Sequence, residues 1–330
     1  MNRHTKSSIV VVALFLGCSI ALAANPPEKT PQELLSTATE RLIDAKRAGP
    51  ITLRYGLRFP DGRTGTYVWR QRNLDNQRKD IRIGSLAVSE GASSGKRWRS
   101  PGEEPLETWW LVNALLDCRP KLKYDSSSPL RVITTRIDGR DYLKALADPP
   151  GGHSLWGVLL TSPELDLSVS ESVFERFAYA DWKELPGQGR FPGIARVYLQ
   201  DEQALEMVLI DGSNKRIEDG DLAPPPDAIF RPSCAGEEGP KLVNRSKPVY
   251  PEAARLERAE GLIVLSGVIE ADGTVTKLRL VHTPKAKKAS RALLVDAAMA
   301  TVSKWRYEPA RCGGTPTPTE LNVTVTFFLE

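Results

Sequence analysis

The chain has 330 residues, with 45 basic against 41 acidic side chains and a formal net charge of +4. So even a balance does not suggest a nucleic-acid binder. With 41% hydrophobic and 26% charged residues, the composition is that of a folded body with room for two domains.

Arg3, His4 and Lys6 precede an apolar run over residues 9–17, and small residues follow at Ala21, Ala23 and Ala24. A basic start, a short apolar stretch and an Ala-Leu-Ala site predict a secretory signal peptide over residues 1–23, hence export to the periplasm. Two alternatives stay open. An uncleaved anchor would need roughly 20 apolar residues, more than this run offers. Lipidation at Cys18 would follow a loose lipobox in which Phe15 and Leu16 fit poorly. No later stretch reaches membrane-spanning length; the apolar run at 155–160 is far too short. Cleavage would leave Cys118, Cys234 and Cys312, whose spacing matches no metal motif.

The mature chain opens on a helix. Thr30-Pro31-Gln32-Glu33 is a capping box with proline at the first helical position. Leu34, Leu35, Ala38, Leu42 and Ala45 fall on one face, and Gly49 supplies a stop. Strands are expected at 51–59 and 64–72 around the turn Pro60-Asp61-Gly62, with shorter ones at 80–83, 86–89 and 96–99. Residues 106–116, with Trp109, Trp110, Val112 and Leu115, predict a buried helix. Strands at 131–137 and 140–146 flank Asp138-Gly139, and others are expected at 165–169, 174–180, 194–199 and 205–210. Many strands at near-regular spacing imply an antiparallel sheet curved into a barrel or half-barrel over residues 24–223. Pro224-Pro225-Pro226 opens a linker, 224–244, too short to cross a periplasm.

In element order, residues 30–218 resemble the LolA/LolB-like half-barrels that carry lipoproteins or other apolar ligands. That resemblance implies a cavity, which Trp109 and Trp110 either plug or simply help to fill as core.

The last part, 245–330, is more specific. Pro248-Val249-Tyr250-Pro251 leads into a short helix at 252–258, ended by Gly261. A strand apolar on both faces is expected at 262–269, turned by Asp272-Gly273 into its hairpin partner at 274–281. A second helix, 290–305, aligns Leu294, Ala298, Thr301, Val302 and Trp305, which places Trp305 against the sheet. The final strand, 321–329, points Val323, Val325, Phe327 and Leu329 to one side. The whole chain thus reads as α+β: an antiparallel half-barrel with helices, then a small antiparallel sheet covered by two helices.

Tyr250-Pro251, Ala254, Gly261, Ile269, Asp272-Gly273, Ala297-Ala298, Trp305-Arg306-Tyr307, Pro309, Gly314 and the terminal strand stand in the order and spacing of TonB-family C-terminal domains. The resemblance implies binding of an outer-membrane transporter or other envelope protein by adding its extended segment to a sheet edge, the physical logic of β-augmentation. The implied partner-binding residues are Asn322, Val323, Thr324, Val325, Thr326 and Phe327, with Tyr250 and Pro251. Family energy transducers also keep an uncleaved membrane helix and a long Pro-rich spacer. Here a cleavage site and a folded domain stand in their place.

Little points to an enzyme. Gly152-His153-Ser154-Leu155-Trp156-Gly157 has its second glycine one position too late for a nucleophile elbow. His153 and His282 are the mature chain's only histidines, and His282 is expected in a loop. Gly91-Ala92-Ser93-Ser94-Gly95 lacks the lysine and helix of a P-loop. Glu103-Glu104, Glu237-Glu238 and the cluster Lys285, Lys287, Lys288, Arg291 read as solvated. No cofactor or metal is expected.

Cys234 and Cys312 fall in connecting segments of the predicted C-terminal domain, so a disulfide between them is expected to pin its leading arm to its final loop. Cys118 ends an apolar helix, where a thiol packs as a small hydrophobe. The alternative, three unpaired thiols, stays open. Three functions remain in view: a TonB-family binding module, a carrier of an apolar ligand in the half-barrel, and a membrane-anchored transducer.

Overall fold

The computed structural model describes residues 30–43, 49–117, 130–147, 156–161, 164–172 and 174–329. The signal segment, Cys18, Cys118 and the stretch 151–155 with His153 lie outside them.

The first helix, α1 (Pro31–Glu40), starts on the capping box. The Glu33 amide donates to Thr30 Oγ1 at 3.2 Å, and the Thr30 amide donates to Glu33 Oε2 at 2.7 Å. It ends at Glu40, short of Ala45. From Leu42 the chain bridges to Arg190 instead, the Ile43 amide donating to the Arg190 carbonyl at 3.1 Å.

β1 (Ile51–Arg58), β2 (Thr64–Asn73), β3 (Asn76–Ile83), β4 (Leu86–Ser93) and β5 (Lys96–Arg99) follow as an antiparallel meander, so that Gly91 to Gly95 form a hairpin. After α2 (Leu106–Leu116) come β6 (Leu130–Ile137), β7 (Arg140–Ala147), β8 (Trp156–Thr161), β9 (Leu167–Ser172) and β10 (Glu175–Ala180). A short hairpin, β11 (Lys183–Leu185) with β12 (Gly189–Phe191), precedes β13 (Ile194–Leu199) and β14 (Glu202–Ser213). α3 (Asp219–Leu222) and β15 (Ile229–Cys234) complete this part. All strands but the β11–β12 pair form one sheet of 13 strands, ordered β15-β5-β4-β3-β2-β1-β14-β13-β10-β9-β8-β7-β6. The order does not close on itself, so the sheet is an open half-barrel.

Alternation fixes its two faces. In β1, Ile51, Leu53, Tyr55 and Leu57 are buried while Arg54 and Arg58 are exposed. The inner face shares one core with Trp109, Leu111, Val112 and Leu115 of α2. Trp109 stands edge-on to Tyr67, ring centroids 6.4 Å apart.

The C-terminal unit comprises β16 (Lys241–Asn244), α4 (Glu252–Leu256), β17 (Gly261–Ile269), β18 (Val275–His282), α5 (Lys288–Val302), β19 (Arg306–Glu308), β20 (Arg311–Cys312), β21 (Thr315–Pro316) and β22 (Thr319–Phe327). Its main sheet is β18-β17-β22. α4 and α5 cover one face, with Ala254, Leu294, Ala298 and Val302 packed on Ile263, Leu265 and Ile269. At Gly273, φ is +81°, and a Cβ would run into the Tyr307 carbonyl; the Tyr307 amide donates to the Gly273 carbonyl at 2.9 Å. This bond ties the β17–β18 turn to the chain after α5.

Trp305 and the expected linker are placed differently from the sequence reading. Trp305 is 3% exposed, but it lies beyond the end of α5, held by its Nε1 donating to the Ser246 carbonyl at 3.0 Å. The stretch expected as linker carries β15, which extends the large sheet by pairing with β5.

Candidate functional site

Every residue of β17 is buried. Ile263, Leu265 and Ile269 face the helices, whereas Leu262 and Val264 belong to the half-barrel's core. A strand apolar on both faces must be covered on both, and the second cover is the N-terminal unit. The β18 flank, also without a hydrogen-bonded neighbour among the described strands, meets the half-barrel through side chains. His282, which ends β18 rather than lying in a loop, stacks on Trp110 with ring centroids 5.5 Å apart, and its Nδ1 is 2.7 Å from Glu107 Oε1. Arg279 of β18 donates to Glu104 Oε2 at 2.8 Å.

β22 pairs with β17 in unbroken register from Gly261↔Phe327 to Ile269↔Thr319; like β18, it has no described strand hydrogen-bonded on its outer side, although β15 touches it. Both ends are fixed. At the start, Thr319 Oγ1 donates to Glu237 Oε1 at 2.5 Å, and Glu320 pairs with Arg231. At the end, Phe328 meets Phe174 edge-on at 6.2 Å, and the Leu329 amide donates to Glu260 Oε1 at 2.5 Å. Between these clamps, Asn322 and Thr326 are exposed, Val323 and Thr324 are half-buried, and Val325 and Phe327 are in the core. Tyr250 backs the strand from the helix side, its ring 5.3 Å from that of Phe327 and its hydroxyl donating to the Ala259 carbonyl at 2.6 Å. Pro251 is the N-cap of α4.

The first clamp belongs to a charge cluster that joins the two units. Arg231 of β15 pairs with Glu90 at 3.3 Å, with Glu104 at 3.1 Å and with Glu320. Burial pushes the Glu320 carboxyl above its ordinary value, and the nearby Glu90 and Glu104 add to this, against the opposing pull of Arg231. Burial also works to raise Glu104, but the hydrogen bond from Arg279 and the charges of Arg231 and Arg279 outweigh it and hold it low. Glu104 and Glu237, expected to be solvated, are thus engaged at the junction. Sequence reading carried no signal for Arg231 because it lies in the apparent linker.

Cys234 is bonded to Cys312, with Cα atoms 6.3 Å apart. Since Cys234 ends β15, the bridge runs between the large sheet and the C-terminal unit, rather than within the latter.

A second feature lies inside the half-barrel. A cavity of about 220 Å³ opens between Leu42, Ile43, Leu53, Trp69, Leu116 and Phe191. Tyr67 and Trp69 also line it, with the hydroxyl and Nε1 buried and lacking a hydrogen-bond partner among the described residues. Lys79 Nζ reaches Asn113 Oδ1 at 3.0 Å, and burial lowers its pKa against the pull of Glu90. Among the described residues, no group of His, Cys, Asp and Glu could hold a metal ion, and no helix is long and apolar enough to cross a membrane.

With that geometry in view, residues 246–329 match the family model of the Gram-negative bacterial TonB protein C-terminal region. The C-terminal unit is a TonB-like domain. Protein TonB of Klebsiella pneumoniae is 28% identical over 103 residues, which are 31% of this chain and 38% of that protein. Protein TonB of Klebsiella aerogenes is 34% identical over 92 residues, 28% of this chain and 34% of that protein. The chain therefore spans little more than a third of these relatives. A LolA superfamily protein from Nitrosomonas europaea is similar in structure over 59% of this chain and 98% of its own, with 13% identity and a TM-score of 0.36.

Proposed function

We propose that this chain is an exported, periplasmic binding module. The edge of β22 from Asn322 to Phe327 takes an extended segment of an outer-membrane transporter or other envelope protein as an added strand. The observation that supports this reading is the outer edge of β22, to which no described strand is hydrogen-bonded, within a TonB-like domain. An incoming strand would satisfy the outward N–H and C=O groups of β22. Tyr250 and Pro251 act behind the edge: Tyr250 supports Phe327, and Pro251 starts the helix that follows. Binding of this kind calls for no catalytic group.

Titrating the full chain against a purified TonB-dependent outer-membrane transporter tests the reading. Proline at successive positions from Asn322 to Thr326 should remove binding at alternate positions, where the N–H points outward, while the melting curve is kept. Unchanged affinity in every folded variant would exclude the edge.

The half-barrel cavity supports a second role for the N-terminal unit, as a holder of an apolar ligand with a polar end for Tyr67 and Trp69. Native mass spectrometry of the exported protein should then show a co-purifying small molecule, and a bare chain mass from gentle preparations would count against it.

A further inference from the structure

A second concavity lies on the other side of the sheet from the half-barrel cavity. A groove of about 570 Å³ runs over the outer face of β1, β2 and β3 and is walled by α3. Strand register brings arginines together there. Arg70 stands directly opposite Arg78, a like-charged cross-strand pair that costs stability unless it is bridged. Asp80 bridges it, 2.8 Å from Arg70 and 2.9 Å from Arg78, and Arg78 also donates to the Ala223 carbonyl at 2.9 Å. Further along this face, Arg72 pairs with Asp219 at 2.7 Å, and Arg58 and Arg196 share Glu206 at 2.9 and 2.6 Å. Arg54 and Arg82 differ. Both are exposed and both line the groove; neither is in an ion pair among the described residues, although Asp211 of β14 stands directly opposite Arg54.

We infer that this groove is a binding site for a small hydroxylated anion, a sugar acid or sugar phosphate. Arg54 and Arg82 would hold the carboxylate or phosphate. Two unpaired guanidiniums on one concave face match an oxyanion, to which arginine donates in pairs. The remaining lining is hydroxyls and carboxylates, from Thr52, Thr66, Asp211 and Asp221, and these suit a ligand that also donates through hydroxyl groups. Val68 is the only apolar side chain in the lining, so a lipid chain has nothing to lie on. The volume is within the range of small-molecule sites. The inference is independent of the β22 edge.

Calorimetric titration of the full chain with glucuronate, with glucose 6-phosphate and with neutral glucose tests it. At least one of the two anions should bind saturably, which also distinguishes carboxylate from phosphate, and glucose should not. Arg54→Gln with Arg82→Gln should weaken that binding by about tenfold or more, as expected when charge-assisted hydrogen bonds are lost. Arg58→Gln, outside the groove, should leave it unchanged. Binding of neither anion, equal binding of glucose, or equal affinity in the double variant would each overturn the assignment.

Discussion

The imidazole of His282 lies against the indole of Trp110, joining the last residue of β18 to the helix that fills the half-barrel. This contact lies at the centre of the junction. Around it, Arg279 reaches Glu104 at 2.8 Å, and the Lys285 amide donates to Gln200 Oε1 at 2.8 Å. Since Leu262 and Val264 of β17 sit in the half-barrel core, the two units should unfold together. Trp110→Ala removes a large part of the contact and should cost roughly 1–3 kcal/mol, less than a fully buried aromatic. Scanning calorimetry should show one transition in the wild type and two in the variant. An unshifted single transition would mean that the units are held together elsewhere.

Trp305 anchors the smaller core although it lies past α5. Trp305→Ala should cost roughly 3–5 kcal/mol by denaturant unfolding. Trp305→Phe, which keeps most of the ring but loses the bond to the Ser246 carbonyl, should cost roughly 1 kcal/mol. Equal losses in the two variants would assign the whole effect to the hydrogen bond.

The carboxylates predict the shape of the acid limb. Glu206, held low by hydrogen bonds from Arg196 and Arg58 against the opposing effect of burial, contributes stability that is present above the ordinary glutamate range. Glu104 behaves likewise. Both contributions are lost as pH falls through their depressed folded values. Glu320, raised by burial, has the opposite sign: the folded state takes up its proton more readily, so this term gains as pH falls through the raised value. Glu206→Gln should therefore flatten the acid decline in melting temperature, and Glu320→Gln should raise the neutral-pH value relative to the acid one. The same pH profile in wild type and both variants would remove these groups from the account.

The Cys234–Cys312 bridge closes a loop of 78 residues across the two units. The chain-entropy model gives about 4.5 kcal/mol for a loop of this length. Cys234→Ser with Cys312→Ser should lower stability by that order and release β15 from the last loop. Non-reducing peptide mapping checks the bridge itself, since two alkylatable thiols at these positions in the folded protein would rule it out.

Local signals in the amino-acid sequence were enough for the elements whose cause is local. The capping box at Thr30 set the start of α1. The turns Pro60-Asp61-Gly62 and Asp272-Gly273 set two hairpins, and the apolar stretch 106–116 set α2 to its observed ends. The two-sided hydrophobicity of β17 required two covers, but nothing in it said what the second cover was. Sequence periodicity records whether a side chain avoids water, not which neighbour keeps the water away. Tertiary structure decided the rest. Residues after the triple proline pair with β5, a strand more than a hundred positions earlier, and the disulfide consequently spans two units. Glu104 reads as solvated on its own and nothing in the sequence marks Arg231 or Glu320, yet the three meet because segments distant in the chain come to one place. The two outer edges of the β18-β17-β22 sheet were placed in the same way, by what packs across the junction.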